Sequence, residues 1–322
     1  MIIVKVNALR SYEIKIEKGL IIDKSLPEGF IITDTNVNKL YGNLVKGKSF
    51  IIQAGEASKT LETYKQIIDK LSETNENTII SFGGGVVGDL SGFVASTYKR
   101  GISLIQIPTS LLAMVDSSIG GKNGVNLADK KNYLGTIYQP SQILIDPSFL
   151  ETLPLTELKN GLAEIIKYSA VFNKPSPESI KKSILNKNFL DLIYECCKIK
   201  SEVVEKDEND LGYRHILNFG HTIGHAIELM SGLSHGESIA IGMIKEAEIG
   251  KKLGYISKEK YESIIYLLKE AELPVSFPQN IDINKAIELM KKDKKGSLVF
   301  AFSEKDYNIN LDETKLRQFL TC

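Results

Sequence analysis

Through the first half of the chain, short apolar runs alternate with segments whose apolar positions recur at helical spacing. The strand-like runs are Ile2–Val6, Tyr12–Glu17, Phe30–Thr33, Phe50–Ala54, Thr78–Phe82, Leu104–Ile107 and Gln142–Ile145. Several are continuously apolar, the pattern of strands covered on both faces. Between them, Lys59–Ser72 repeats Leu61, Tyr64, Ile67, Ile68 and Leu71 on one helical face, with Ser58 as the candidate N-cap. Such alternation predicts a mostly parallel sheet with helices on its faces. Beyond about Leu150 helical patterns take over, at Thr156–Val171, Phe189–Lys206, Leu217–Met230, Glu237–Lys252 and Lys258–Glu270. Only Leu298–Phe302 and Tyr307–Ile309 still read as strands there. The expected architecture is an α/β domain over residues 1–150 followed by a mostly α-helical domain over residues 151–322, with a cleft between them. Such domain interfaces are favoured places for ligands.

Composition narrows the function classes. At roughly 150 residues per domain, 322 residues allow about two domains. Lys and Arg total 40, as do Asp and Glu, so the formal net charge is zero. That argues against a sequence-blind nucleic-acid binder, which needs a basic excess, but leaves room for a local basic pocket. The cysteines are Cys196, Cys197 and Cys322. They fit neither a disulfide framework nor a zinc ribbon, and point to a reducing, cytoplasmic setting. The amino-terminal segment has no signal-peptide pattern. No apolar run reaches the roughly 18 residues of a membrane span, so no membrane partner is expected.

The run Thr78–Phe82 breaks directly into Gly83-Gly84-Gly85-Val86-Val87-Gly88-Asp89, and a helix-like segment follows. A strand that opens a helix through glycines brings backbone N–H groups and a helix N-terminus to an anion such as a diphosphate. This suits a nucleotide-binding domain, although the spacing is neither the usual dinucleotide fingerprint nor a P-loop. A tight turn without ligand is the alternative. Asp34-Thr35-Asn36 follows another strand and offers groups for ribose hydroxyls, or simply a helix N-cap. Glu56 and Lys59, after Phe50–Ala54, are equally ambiguous.

All four histidines, His215, His221, His225 and His235, fall within 21 residues. Imidazole is a common metal ligand and proton carrier. His221 and His225 lie at i,i+4 on one helical face, and His235 opens the next helix. A catalytic zinc site takes three protein ligands and keeps one open position. Glu164, on an apolar predicted helix with Lys167 three residues on, is a candidate carboxylate. The alternative for any one histidine is a structural role, which the clustering disfavours. Finally, Pro108–Gly124 is dense in hydroxyls and glycines. Arg100 precedes it; Lys130, Lys131, Asn132, Lys200, Arg214 and Asn218 follow. Such donors suit phosphate. Arg214, two helical turns before His221, is expected to face the same site.

The stretches GGGVVGD, PTSLLAMVDSSIGGK, NGLAEIIKY and LNFGHTIGHAIE followed by SHGE, in this order, closely resemble 3-dehydroquinate synthase, a family of the sugar-phosphate cyclases. The resemblance runs from about Asp34 to about Lys295. It implies a homodimeric lyase that uses NAD and zinc or cobalt, and turns 3-deoxy-D-arabino-heptulosonate 7-phosphate into 3-dehydroquinate and phosphate. It implies Glu164, His221 and His235 as metal ligands. Asp34, Asn36, Glu56, Lys59, Gly84, Gly85, Asp89, Thr109 and Ser110 match the dinucleotide contacts. Asp116, Lys122, Lys131, Asn132, Lys167, Lys200, Arg214, Asn218, His225 and Lys294 match substrate contacts, with Lys122 and Lys131 also assigned beside the dinucleotide. Lys167, His225, Lys200 and Asp116 are the implied catalytic residues. Arg100 matches an arginine that serves the neighbouring subunit.

The implied chemistry is transient oxidation at C5, elimination of phosphate, re-reduction, ring opening and aldol closure, with no net redox change. One departure from the family pattern is Asp207-Glu208-Asn209-Asp210, where Asp-Glu-Arg-Glu is usual. The alternatives are another sugar-phosphate cyclase acting on glucose 6-phosphate or sedoheptulose 7-phosphate, a metal-dependent polyol dehydrogenase, or a nucleotide-binding regulator that kept the fold.

Overall fold

The computed structural model describes residues 1–128, 130–278, 281–293 and 298–321. Seven strands form one sheet: β1 (Ile2–Val6), β2 (Tyr12–Ile16), β3 (Phe30–Asp34), β4 (Ser49–Ile52), β5 (Thr78–Gly83), β6 (Ser103–Pro108) and β9 (Gln142–Ile145). Their spatial order is β1-β2-β9-β6-β5-β3-β4. Only β1 and β2 pair antiparallel; the other pairings are parallel. The helices α1 (Thr35–Tyr41), α2 (Leu61–Ser72) and α3 (Gly85–Thr97) connect consecutive strands of this sheet. Phe30, Ile32, Ile79, Val87, Leu90 and Leu104 belong to one buried cluster with Ile67 and Leu71 of α2. The mostly parallel sheet follows from the apolar runs: β5 is buried along nearly its whole length.

Chain order fixes where ligands meet such a sheet. From β3 the chain steps outward to β4, then returns to place β5 on the other side of β3. Parallel sheets bind ligands beyond the carboxyl ends of their strands at such a reversal. Asp34 pairs in register with Ile52, and Gly83 with Pro108. The ends of β3, β4, β5 and β6 therefore present Asp34, the Glu56–Lys59 loop, Gly84 and Thr109 along one edge.

Two features of this half depart from the expected pattern. α2 is capped by Thr60, whose hydroxyl accepts from Thr63 N at 3.1 Å, and not by Ser58. Ser58 sits in a preceding short turn, and its hydroxyl donates to the Gln53 carbonyl. The polar run after Ser118 forms a separate antiparallel hairpin, β7 (Lys122–Leu127) with β8 (Lys130–Ile137), for which no strand was expected.

The helical half contains α4 (Leu155–Phe172), α5 (Pro177–Asn186), α6 (Leu190–Lys206), α7 (His221–Ser231), α8 (His235–Lys252), α9 (Lys258–Glu270), α10 (Ile283–Asp293) and α11 (Glu313–Thr321). The late strands are β10 (Val299–Phe300) and β11 (Ile309–Asn310), an antiparallel pair. Residues 1–154 and 197–209 form one compact unit, and residues 155–196 and 210–322 the other. The division differs from a single cut near residue 150, because the second part of α6 belongs to the sheet unit. Among the described residues, no helix is long and apolar enough to cross a membrane.

Candidate active site

In the helical unit, α4 carries Glu164, and α7 and α8 each open on a histidine, His221 and His235. Glu164 Oε1 lies 3.4 Å from His221 Nε2 and 3.3 Å from His235 Nε2. The three residues offer donor atoms that all lie within 4.8 Å of one another. Each imidazole is held from its other nitrogen. His221 Nδ1 lies 3.1 Å from the Phe219 carbonyl, and His235 Nδ1 lies 3.3 Å from Glu228 Oε2. Both partners can accept a hydrogen bond from Nδ1, so in the neutral ring Nε2 is the nitrogen left to bind a cation beside Glu164. A carboxylate and two imidazoles converging in this way fit a divalent cation such as zinc.

Electrostatics follow from the same packing. Lys167, one turn along α4, pairs with Glu164 Oε2, both side chains being almost fully buried. Burial alone would raise the Glu164 carboxyl, but Lys167 and the imidazoles hold it well below the usual carboxylate range. Burial pushes His221 down to about 4. Burial also disfavours a charged His235, yet its bonds to Glu164 and Glu228 carry it up to about 9. His225 joins the cluster, its ring centroid 5.2 Å from that of His221. His215 does not: its Nδ1 lies 3.2 Å from Asn308 Oδ1.

The reading of Arg214 by helical spacing is corrected. No continuous helix joins it to His221, because Tyr213–Asn218 is a separate tight turn and Gly220 breaks the path with φ 80°. Arg214 is nonetheless buried, and Asn218 is half-buried at the end of that turn. Lys294 lies outside the described residues.

In the sheet unit, Gly84 is the N-cap of α3 and supplies no side-chain cap. Thr109 N donates to the Gly83 carbonyl at 3.0 Å, which brings Thr109 and Ser110 beside the glycines. A Cβ on Gly85 would come within 3.1 Å of Ser117 Oγ, a buried hydroxyl with no hydrogen-bond partner. An uncapped helix N-terminus, a side-chain-free approach and an orphaned hydroxyl together fit a phosphate group of a nucleotide. In the sequence Ser117 opens the Ser117–Asn123 donor run of the anion-binding stretch, with no role of its own assigned.

Alongside runs a chain of polar contacts. Lys59 Nζ lies 2.8 Å from Asp89 Oδ2 and 3.3 Å from Glu56 Oε1. Burial alone would lower the Lys59 ammonium, but Asp89 and Glu56 hold it above its ordinary value. Asn126 Nδ2 donates to Glu56 Oε1 at 2.9 Å, and Asn126 Oδ1 accepts from Asn132 N at 2.8 Å. Asn126 thus ties the Glu56–Lys59 turn to the β7–β8 hairpin; sequence reasoning missed it because a lone amide in a polar strand carries no signal. Asp89, Lys122 and Asn132 line a cavity of about 390 Å³. Lys200, from α6, donates to the Asp116 carbonyl at 2.6 Å and pairs with the Asp116 carboxylate.

Four predicted residues lie at a helix start or on the surface. Asp34 Oδ1 accepts from Asn36 N and Val37 N at 2.8 and 2.9 Å, so Asp34 caps α1 and Asn36 lies in its first turn. Arg100 and Lys131 are exposed, Arg100 at a surface turn with φ 65°.

Comparison with known proteins bears on both clusters. The family model described as 3-dehydroquinate synthase N-terminal matches residues 49–160, and that described as 3-dehydroquinate synthase C-terminal matches residues 161–296. A 3-dehydroquinate synthase of Thermodesulfovibrio yellowstonii is 44% identical over 315 residues, covering 89% of this chain and 88% of that protein. Among solved structures, 2-epi-5-epi-valiolone synthase from Streptomyces hygroscopicus, with NAD+ and Zn2+ bound, is 25% identical with a TM-score of 0.82, covering 97% of this chain and 96% of that one. A 2-deoxy-scyllo-inosose synthase complexed with carbaglucose-6-phosphate, NAD+ and Co2+ superposes with a TM-score of 0.84 over 99% of both chains. At 24% identity it establishes the shared fold. By both domain matches and by 44% identity over most of its length, the chain belongs to the 3-dehydroquinate synthase family.

Proposed function

We propose that this chain catalyses the reaction for which its family is named, the conversion of 3-deoxy-D-arabino-heptulosonate 7-phosphate to 3-dehydroquinate and phosphate. The observation that carries the reading is the convergence of Glu164, His221 and His235, with both Nδ1 atoms already taken by acceptors. Glu164, His221 and His235 would hold zinc or cobalt; Gly84, Gly85, Thr109, Ser110, Glu56, Lys59 and Asp89 would hold NAD. When bound, the dinucleotide supplies a hydride acceptor and donor, and the cation supplies Lewis-acid polarisation of a substrate oxygen.

The chain's own residues do the rest. Lys167, buried and charged beside Glu164, neutralises the carboxylate and offers donors to a substrate hydroxyl. His225, half-buried beside the ligand rings, is placed to pass a proton to or from a substrate oxygen. Asp116, fixed by Lys200, presents an oriented carboxylate to substrate hydroxyls. Lys122, Lys131, Asn132, Arg214, Asn218 and Lys294 supply cationic and amide donors for the phosphate and carboxylate. Because net redox change is nil, catalysis rests largely on positioning and on stabilising the charge that develops as phosphate departs. The exposed Arg100 would serve a second copy of the chain in a homodimer, and the setting would be the cytoplasm.

The test is phosphate release. Supplied with NAD and zinc, the protein should liberate phosphate from 3-deoxy-D-arabino-heptulosonate 7-phosphate without accumulating reduced dinucleotide. Release from sedoheptulose 7-phosphate or glucose 6-phosphate alone would reassign it to another cyclase. Steady accumulation of reduced dinucleotide would mark a dehydrogenase.

A further inference from the structure

The three metal-facing side chains come from three different helices, two of them at the first residue of a helix. Their spacing therefore depends on how those helix ends are held together. Two buried polar side chains hold them. Glu246 lies on α8, about three turns beyond His235, and is fully buried. Its Oε2 accepts from Gly220 N at 2.7 Å and its Oε1 from Ile223 N at 3.1 Å. These N–H groups belong to the start of α7, where Gly220 offers no capping side chain. A carboxylate there also complements the positive end of the helix dipole. Asn160 lies on α4, about one turn before Glu164, and its Oδ1 accepts from Gly236 N at 2.7 Å, at the start of α8.

The backbones leave no slack around these bonds. A Cβ on Gly242 would lie 2.0 Å from the Gly220 carbonyl oxygen, and one on Gly236 would lie 2.7 Å from Asn160 Cα. The contacts are backbone against backbone, so no rotamer change can absorb a shift. Glu246 joins α8 to α7, and Asn160 joins α4 to α8, each within the first turn of a ligand-bearing helix.

We propose that Asn160 and Glu246 are positioning residues of the metal centre: they set the separation of the Glu164, His221 and His235 donors and thereby the affinity and geometry of the bound cation. The proposal rests on the reading of those three as the metal ligands. Neither residue contacts the cation; each acts through the helix end it holds.

The test is Co2+ binding, by competition with a chelator and by the visible absorption of the Co2+-loaded protein. Glu246→Gln and Asn160→Ala should each weaken Co2+ binding by about 10- to 100-fold and change the visible bands. Asn160→Asp keeps an acceptor for Gly236 N and should restore both. Leu268→Ala, which opens the buried core at α9, should lower thermal stability and leave affinity and spectrum unchanged. Wild-type affinity and bands in both Glu246→Gln and Asn160→Ala would overturn the proposal, whatever their stability. Should Glu246→Gln fail to fold, the comparison of Asn160→Ala with Asn160→Asp decides. Glu164→Ala separates the two levels: if it binds Co2+ as tightly as wild type, the metal reading falls and this proposal with it. If binding depends on Glu164 and both variants are unaffected, this proposal alone is overturned.

Discussion

Glu228 Oε2 lies 3.3 Å from Nδ1 of His235, while Glu164 Oε1 lies 3.3 Å from Nε2 of the same ring. One imidazole is thus held by two carboxylates, one on the metal-facing side and one behind it. Glu228 follows His221 by seven residues on α7, so the same helix that contributes one histidine orients the other. Replacing Glu228 by Ala should weaken zinc binding by about 10- to 100-fold, and Gln, which still accepts a hydrogen bond, should do less harm. Competition with a chelator measures both.

Metal binding should depend on pH through this same ring. His235 is raised from 6.5 to about 9, so the metal-free protein holds a proton there that a cation must displace. Zinc affinity should therefore rise by about tenfold per pH unit as pH climbs from near 6.5 toward 9, then level off. The sign for folding is opposite. Protonated His235 stabilises the metal-free fold fully below 6.5, and that contribution fades as pH rises through about 9. A chelator titration series and metal-free denaturation at matched pH values check the pair.

Glu164→Ala should abolish stoichiometric zinc and remove the carboxylate that pairs with the buried Lys167 ammonium. Breaking a buried pair from one side costs about 3–5 kcal/mol. The double change Glu164→Ala with Lys167→Met should recover much of the stability and none of the metal. Denaturant melts and metal analysis separate the two effects.

Lys200→Met should leave Asp116 without the cation that fixes it. The expected result is a loss of about 100-fold or more in the rate of phosphate release, with dinucleotide affinity little changed. An equal loss in dinucleotide binding would place Lys200 with the cofactor instead.

Asp146 supports the fold rather than the chemistry. Fully buried at the end of β9, it accepts from the N–H groups of Gly19, Ile21, Ile22 and Ser148 at 2.9 to 3.1 Å. Burial would raise its carboxyl, but these four donors hold it below its ordinary value. Asp146→Ala strands buried donors and should cost about 3 kcal/mol or more by urea denaturation. The charge contributes fully above the ordinary carboxylate range, and that stability is lost as pH falls through the lowered value.

Much of this architecture is legible without coordinates because burial writes itself into the chain. β3, β5 and β9 are largely apolar, buried runs, and the Gly83–Gly85 break marks where strand turns to helix. The metal triad is legible because histidine is rare here and clustered. Other parts leave weaker marks. Six of the eight β8 residues are exposed, so the hairpin lacks the apolar signal of a strand and reads as a polar anion-binding run. Ser58 and Thr60 are equivalent capping residues in one-dimensional terms, and only the turn at Glu56–Ser58 selects the second. α5 buries only Ile180 and Ser183, too few positions to show a face. Glu228, Glu246 and Asn160 are ordinary polar residues until helix pairing shows what they touch.

The allocation of residues 197–209 to the sheet unit bears on how this protein is made and dissected. Glu205 accepts from Asn7 N at 2.7 Å and Glu208 from Leu9 N at 2.8 Å, bonds that reach back almost two hundred positions. A ribosome has therefore not finished the amino-terminal half when it passes Pro154; the last piece arrives only with Asn209. An expression clone truncated at the apparent boundary would yield a fragment missing its own closing segment, Lys200 included. Splitting the gene after residue 209 would keep that segment but take α4 and α5 from the other unit, so no single cut separates the two.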